Sequence, residues 1–312
     1  MRRFGKRAAV VIGAASFLLS TAACGSGGGD GTSGEVAVDG SSTVYPMSNT
    51  AAELLAEENS NIEVSVGFSG TGGGFKAFCE EGRTDISNAS RPIKDEEAAA
   101  CADTGTDYTE LLVATDALTV VVHPDLDVQC ITVDQLKRIF GPDDSATNWS
   151  DLDPSFPDVK ITGFIPGTDS GTYDYMNADV VASEQEILRE DFESSEDDNV
   201  LVQGVAGTQG AVGFFGYSYY EENADSLKAL EIDSGAGCVA PSAETAQSGD
   251  YTPLARPLFI YVSDAAYADN TAVKEYVDFY IENLAEIATI AQFIPLNDSD
   301  YAATKSAVEA LG

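Results

Sequence analysis

The chain has 312 residues, with 52 Asp and Glu against 16 Lys and Arg, a single His and five Cys, for a formal charge of −36. A protein this acidic has no basic stripe to displace counterions from a phosphate backbone, which excludes nucleic acid as a partner, and an anionic membrane surface would repel it. Hydrophobic residues make up 44% of the chain, with 13 Tyr and 14 Phe, enough for a substantial core in two domains or one large one, and this excludes disorder.

The opening MRRFGKR is basic, and an apolar stretch from Ala8 to Ser20 leads into the small residues TAAC ending at Cys24. The stretch is too short to span a bilayer and reads as a signal peptide over 1–23. Cleavage is expected before Cys24, whose thiol would carry a lipid, although Thr21 stands where the processing motif prefers Leu or Val. The competing reading is a plainly secreted protein. A Gly/Ser tether over 24–34 follows, and the fold is expected to begin near Glu35. Cleavage removes Arg2, Arg3, Lys6 and Arg7, leaving 12 basic residues and a charge of −40, which keeps a protein soluble.

Short β-type runs alternate with helical segments along the rest of the chain. Strands are predicted at 36–38, 62–68, 117–123, 159–164 and 258–262. Met47, Ala51, Leu54 and Leu55 mark one helix, and a longer one near the end places Val273, Tyr276, Val277, Tyr280, Ile281, Leu284 and Ile287 on one face. This alternation indicates an α/β fold. The four cysteines left after processing, Cys79, Cys101, Cys130 and Cys238, are an even number in an exported chain and indicate two disulfides. Of three possible pairings, Cys79 with Cys101, close in sequence, is favoured, which leaves Cys130 with Cys238. A zinc site is the weaker reading, since the chain has no CxxC and one His, and no metal or cofactor is expected.

Three loops rich in hydroxyls and glycine fall where a strand gives way to a helix: DGSSTVYP at 39–46, SGTGGGFK at 69–76 and GTDSGTYDYM at 167–176. Each would offer unpaired backbone N–H groups and Ser or Thr hydroxyls, and three such loops converging on one point would bind a small oxyanion. Any one of them alone is more often an ordinary capped turn. In ISNASRPI at 86–93, Ser90 and Arg91 stand in an uncharged run, and Arg91 is a candidate bidentate contact for the anion. The competing reading for Arg91 is an ordinary salt bridge. A hydrolase built on Ser170 would need a base, and the lone His123, at a predicted strand end, reads as structural, so no enzyme activity is expected.

Taken in order and at these spacings, GSSTVYP, SGTGGGFK, DISNASRP, TDSGTY and GAVGFFGYSYY (210–220) resemble the PstS family, the phosphate-binding proteins of high-affinity phosphate ABC transporters, in its lipoprotein form. The resemblance runs from about residue 36 to the end. It implies a type II periplasmic-binding-protein fold, with two α/β lobes joined by two crossover segments. Lobe I would comprise 35–114 plus 256–312, and lobe II 115–255. The implied function is an extracytoplasmic, membrane-anchored solute-binding lipoprotein, monomeric, that captures inorganic phosphate between its lobes and delivers it to the permease subunits of an ABC transporter. Alternatives are another oxyanion, sulfate or molybdate, or a surface adhesin or signalling lipoprotein.

Carried over by motif, the phosphate site would contain Ser42 and Thr43, Thr71 and Gly72, Ser90, and Ser170, Gly171 and Thr172. Two positions depart from the family's pattern: Ser90 stands where well-known members place an Asp acceptor, and Pro166 where they place an Arg. The neighbouring Arg91 and Asp169 are expected to take over, Arg91 neutralising the anion and Asp169 accepting a hydrogen bond from protonated phosphate or orienting Arg91.

Overall fold

The structure, a computed structural model, describes residues 32–168, 170–182 and 187–312. The expected signal peptide, the expected lipidation site Cys24 and most of the expected tether lie outside the described residues, as does Asp169. Among the described residues, no helix is long and apolar enough to cross a membrane.

Among the described residues, twelve strands form two sheets. In chain order they are β1 (Gly34–Gly40), β2 (Ile62–Val66), β3 (Ile86–Ala89), β4 (Tyr108–Val122), β5 (Cys130–Thr132), β6 (Thr162–Pro166), β7 (Glu193–Ser195), β8 (Ala211–Gly216), β9 (Lys228–Ala229), β10 (Glu231–Asp233), β11 (Cys238–Val239) and β12 (Ala255–Ser263). The large sheet runs β2-β1-β3-β12-β4-β8-β6-β7, with β9 also on β4, and β11-β10-β5 form a small sheet. At one end of the large sheet β1 pairs in parallel with β2 and β3, and at the other β6 pairs in parallel with β7 and β8. Parallel pairing needs crossover connections, and helices supply them.

Two antiparallel strands connect these ends. The first part of β4 pairs with β12 and its last five residues pair with β8, so one strand of 15 residues carries the chain from one end of the sheet to the other. The return is β12, hydrogen-bonded to β3 on its far side. The sequence pattern places only 117–123 in this strand; Tyr108, Thr109 and Glu110 break the apolar run, and pairing with β12 holds them in the ladder. The core divides in the same way. One apolar cluster draws its members from Val36 to Ala114 and from Leu258 onward, including Met47, Leu55, Tyr276 and Tyr280, and another from Leu118 to Leu254, including Trp149, Phe140 and Phe214.

Of the helices that bear on the site, α1 (Tyr45–Glu58) buries Met47, Ala51 and Leu55 as their spacing predicts. Next come α2 (Thr71–Phe75), α3 (Asp95–Thr104), α4 (Val133–Phe140) and α5 (Gly171–Tyr175). Both α2 and α5 run directly into π-helical turns, Lys76–Glu80 and Met176–Val181. The long helix predicted near the C-terminus is two helices, Thr271–Glu282 and Leu284–Ile290, separated at Asn283, whose side-chain amide donates to the Phe279 carbonyl. Cys79 is bonded to Cys101 and Cys130 to Cys238, the pairing favoured from sequence. The first disulfide lies before β4 and the second between β4 and β12, so neither ties the two ends of the sheet together.

Candidate functional site: an arginine-centred cavity

The three loops do leave the carboxyl ends of parallel strands and enter helices, β1 to α1, β2 to α2 and β6 to α5. Close backbone approach brings the first two together. Gly40 has φ +137°, and a Cβ there would lie 2.2 Å from the Asn88 carbonyl oxygen; a Cβ on Gly74 would lie 2.5 Å from the Gly40 Cα. Only glycine fits at either position. The third loop arrives from the other end of the sheet, where a Cβ on Gly171 would sit 3.9 Å from the Thr43 Cα.

Where they meet is a cavity of about 110 Å³, lined by Ser42, Thr43, Thr71, Ser90 and Arg256 together with Asp174, Tyr175 and Asp179 from α5 and its π turn. Thr71 and Ser90 face each other, Oγ1 to Oγ 3.2 Å, and the Ser90 amide donates to the Thr71 hydroxyl at 3.2 Å. The start of α1 has no side-chain cap and no acidic residue in its first turn. The backbone N–H groups of Ser42, Thr43 and Val44 make no hydrogen bond among the described residues. A larger cavity of about 620 Å³ opens beside the small one, sharing Ser42, Thr43 and Asp174 with it and walled by Tyr45, Phe68 and Tyr219.

The charge in the small cavity comes from Arg256, which the sequence reading missed. Its guanidinium donates through Nε to Asp116 at 3.1 Å, through Nη1 to Asp179 at 2.9 Å and through Nη2 to the Thr43 hydroxyl at 2.8 Å. The flat group also lies over the Tyr175 ring, 3.6 Å from Cζ to centroid, and the Tyr175 hydroxyl is anchored on the Pro253 carbonyl at 2.7 Å. Arg256 and Asp116 are direct cross-strand partners in the register of β12 and β4. Both are buried, with side chains 12% and 8% exposed. Burial pushes the Asp116 carboxyl up, the Arg256 charge opposes the shift, and Asp179 adds to it. Burial also raises Asp174, again opposed by Arg256.

Arg91 stands apart from this cluster. It does not line the cavity; its two terminal nitrogens form a bidentate pair with Glu97, both at 2.8 Å, and Nη1 also donates to the Pro92 carbonyl. The cause is local. Glu97 is the third residue of α3, where its carboxylate also accepts the Lys94 amide; this turns it back over the helix start toward Arg91, where it captures the guanidinium. Gly72 and Ser170 line neither cavity. Ser170 caps α5, its hydroxyl accepting the Thr172 amide at 3.2 Å, while Gly171 and Thr172 line the larger cavity. His123 accepts the Asp125 amide within its own turn and lines neither cavity. A signal for Arg256 was present. It is a lone cation in the apolar run PLARPLFIYV, and Asp116 is a lone acid in VATDALTVVV; such charges are rarely buried unless paired, and antiparallel pairing of the two runs sets them side by side.

Comparison with known proteins identifies the family and the fold. A family model described as a PBP superfamily domain matches residues 25–283. Protein SphX of Synechococcus elongatus is 49% identical over 271 residues, covering 86% of this chain and 79% of that protein. The phosphate-binding protein PstS of Staphylococcus saprophyticus is 39% identical over 301 residues, covering 95% and 91%. Among solved structures, a possible phosphate binding protein from Planctomyces limnophilus superposes with a TM-score of 0.84 at 40% identity, covering 90% of this chain and 99% of that one. With coverage this complete and a shared α/β architecture, the chain belongs to the PBP superfamily and, within it, to the PstS family of phosphate-binding proteins.

Proposed function

We propose that the chain is an extracytoplasmic binding lipoprotein that captures inorganic phosphate in the Arg256 cavity and delivers it to the permease subunits of an ABC transporter. The observation that carries this reading is one guanidinium, already oriented by Asp116, Thr43 and Tyr175, facing a small cavity ringed by Ser42, Thr71 and Ser90. Bonds from an arginine to an oxyanion are about twice as strong as neutral ones. The hydroxyls and the free amides at the start of α1 complete a donor set for a tetrahedral anion.

Closure follows from where the donors sit. Ser42, Thr43, Thr71 and Ser90 belong to 35–114, and Asp174 and Tyr175 to 115–255; Arg256 stands on the returning strand between them. The two largest apolar clusters, one on each side, and the confinement of each disulfide to one side support two lobes, 35–114 plus 256–312 and 115–255, hinged on β4 and β12. An anion touching both sides would favour the closed arrangement by its differential contacts. Asp174, in the cavity wall, is the proposed acceptor for the proton of HPO4²⁻. Sulfate has no such proton at neutral pH, and a carboxylate set against its oxygens is unpaired. The signal peptide over 1–23, lipidation at Cys24 and a monomeric state complete the proposal.

Calorimetric titration of the mature domain, stripped of ligand by unfolding and refolding, tests it with phosphate and then sulfate at pH 7. Tight phosphate binding with sulfate silent is the expected result. Binding of both overturns the role of Asp174, and binding of neither overturns the function.

A further inference from the structure

Arg256 has more counter-charge than it needs. Asp116, buried beneath it and bonded to Nε, already balances the guanidinium. Asp179 is a second carboxylate, 58% exposed at its side chain, that reaches back from the π turn after α5 to take Nη1 at 2.9 Å. It lines the same small cavity as Ser42, Thr71 and Ser90. A carboxylate on the cavity wall that holds one edge of the guanidinium occupies a donor an incoming oxyanion would use. With both aspartates ionised the cluster is net negative, which opposes an anion until one carboxylate moves off. Asp116 is fixed in the ladder between β4 and β12, whereas Asp179 is exposed and at the surface of the fold.

We infer that Asp179 is an internal competitor for Arg256, a side-chain carboxylate that holds the anion's place on Nη1 and must be displaced when phosphate binds. The inference rests on the phosphate reading of the cavity. Its consequence is a site with lower affinity than its donors alone would give, and one that the protein itself can refill as the anion leaves. Asp179 therefore sets affinity and release without being a ligand, which suits a protein that must surrender its cargo.

The test is calorimetric titration with inorganic phosphate of the wild-type domain and of Asp179→Asn, Asp179→Ala and Asp198→Asn. Asp198 lines the adjoining large cavity, and its removal takes away the same unit charge without touching Arg256. The pair is open to solvent on its Asp179 side and so is readily broken, and replacing Asp179 should tighten phosphate binding by about three- to tenfold, and by at least about twice the effect of Asp198→Asn. Tighter binding cannot arise from damage to the fold, which separates this readout from a structural role. Equal gains from Asp179→Asn and Asp198→Asn would assign the effect to general repulsion and overturn the inference. Unchanged or weaker binding in the Asp179 variants would also overturn it, weaker binding making Asp179 a ligand in its own right. If wild type and Asp198→Asn bind phosphate, the function stands whatever Asp179 does; if no variant binds, the function falls and the competitor with it.

Discussion

The tripeptide Ser-Gly-Thr occurs at 69–71 and again at 170–172, each time opening a five-residue α-helix that loosens into a π turn. The two copies do different work. At the first, the residue before the helix is Gly70, with φ +81° and no side-chain cap, and the helix continues Gly72, Gly73, Gly74, so backbone packs against backbone and the Thr71 hydroxyl is left to meet Ser90. At the second, Ser170 caps the helix, and the following residues carry Asp174, Tyr175 and Asp179 into the cavity around Arg256. One copy brings neutral donors close; the other handles charge. The same motif therefore fixes where a loop stands, while the residues after it decide what the loop contributes.

The sharpest way to break this division is to remove the charge it is built around. Arg256→Ala is expected to weaken phosphate binding at least about 100-fold by titration, the loss of charge-assisted hydrogen bonds in a small cavity. It should also cost about 3–5 kcal/mol of stability in denaturant melts, because Asp116 is left buried without a partner. Replacing both, Arg256→Met with Asp116→Leu, should recover most of that stability and none of the binding. Close approach in the first copy is tested by Gly74→Ala, whose methyl would fall 2.5 Å from the Gly40 Cα and 2.8 Å from the Ser87 hydroxyl. A loss of about 1–3 kcal/mol, with weaker phosphate binding, is expected. Thr71→Ala removes one neutral donor and should weaken binding by about five- to tenfold with little change in melting temperature.

The smallest effect is predicted for Arg91→Ala. Phosphate affinity should stay within about twofold, and stability at pH 7 should fall by about 1 kcal/mol, the worth of a half-buried pair near the surface. Burial acts to raise Glu97, but the hydrogen bonds from Arg91 and the Lys94 amide hold it below the ordinary carboxylate value. A carboxyl depressed in the folded state contributes stability above its unfolded pKa and loses it as pH falls through the folded one. The difference between wild type and Arg91→Ala should therefore be present at neutral pH and shrink on acidification through that window.

Five of the strands and the three loops were legible because they are local. Period-two apolar runs and hydroxyl- and glycine-rich strand ends lie within a few residues of each other, and the structure places the three loops where the sequence does. Ser42, Thr43, Thr71 and Ser90 come together in one cavity. Arg256 was not legible in the same way, since its meaning depends on a cross-strand partner 140 residues earlier in the chain. The partner of Arg91 was hidden for the converse reason. The setting of Arg91 is uncharged only as far as Pro92 and Ile93, and the capping contact at the start of α3 turns Glu97 back to meet it. The break at Asn283 was hidden because the apolar face continues through it unchanged.

The most direct test of the account is a crystal structure of the mature domain with phosphate bound. The account predicts the anion in hydrogen-bond contact with the Arg256 guanidinium and with Thr71 and the 42–44 amides, touching α5 on its other side, while Arg91 remains on Glu97. Phosphate held by Arg91, or contacted from one end of the sheet alone, would contradict it.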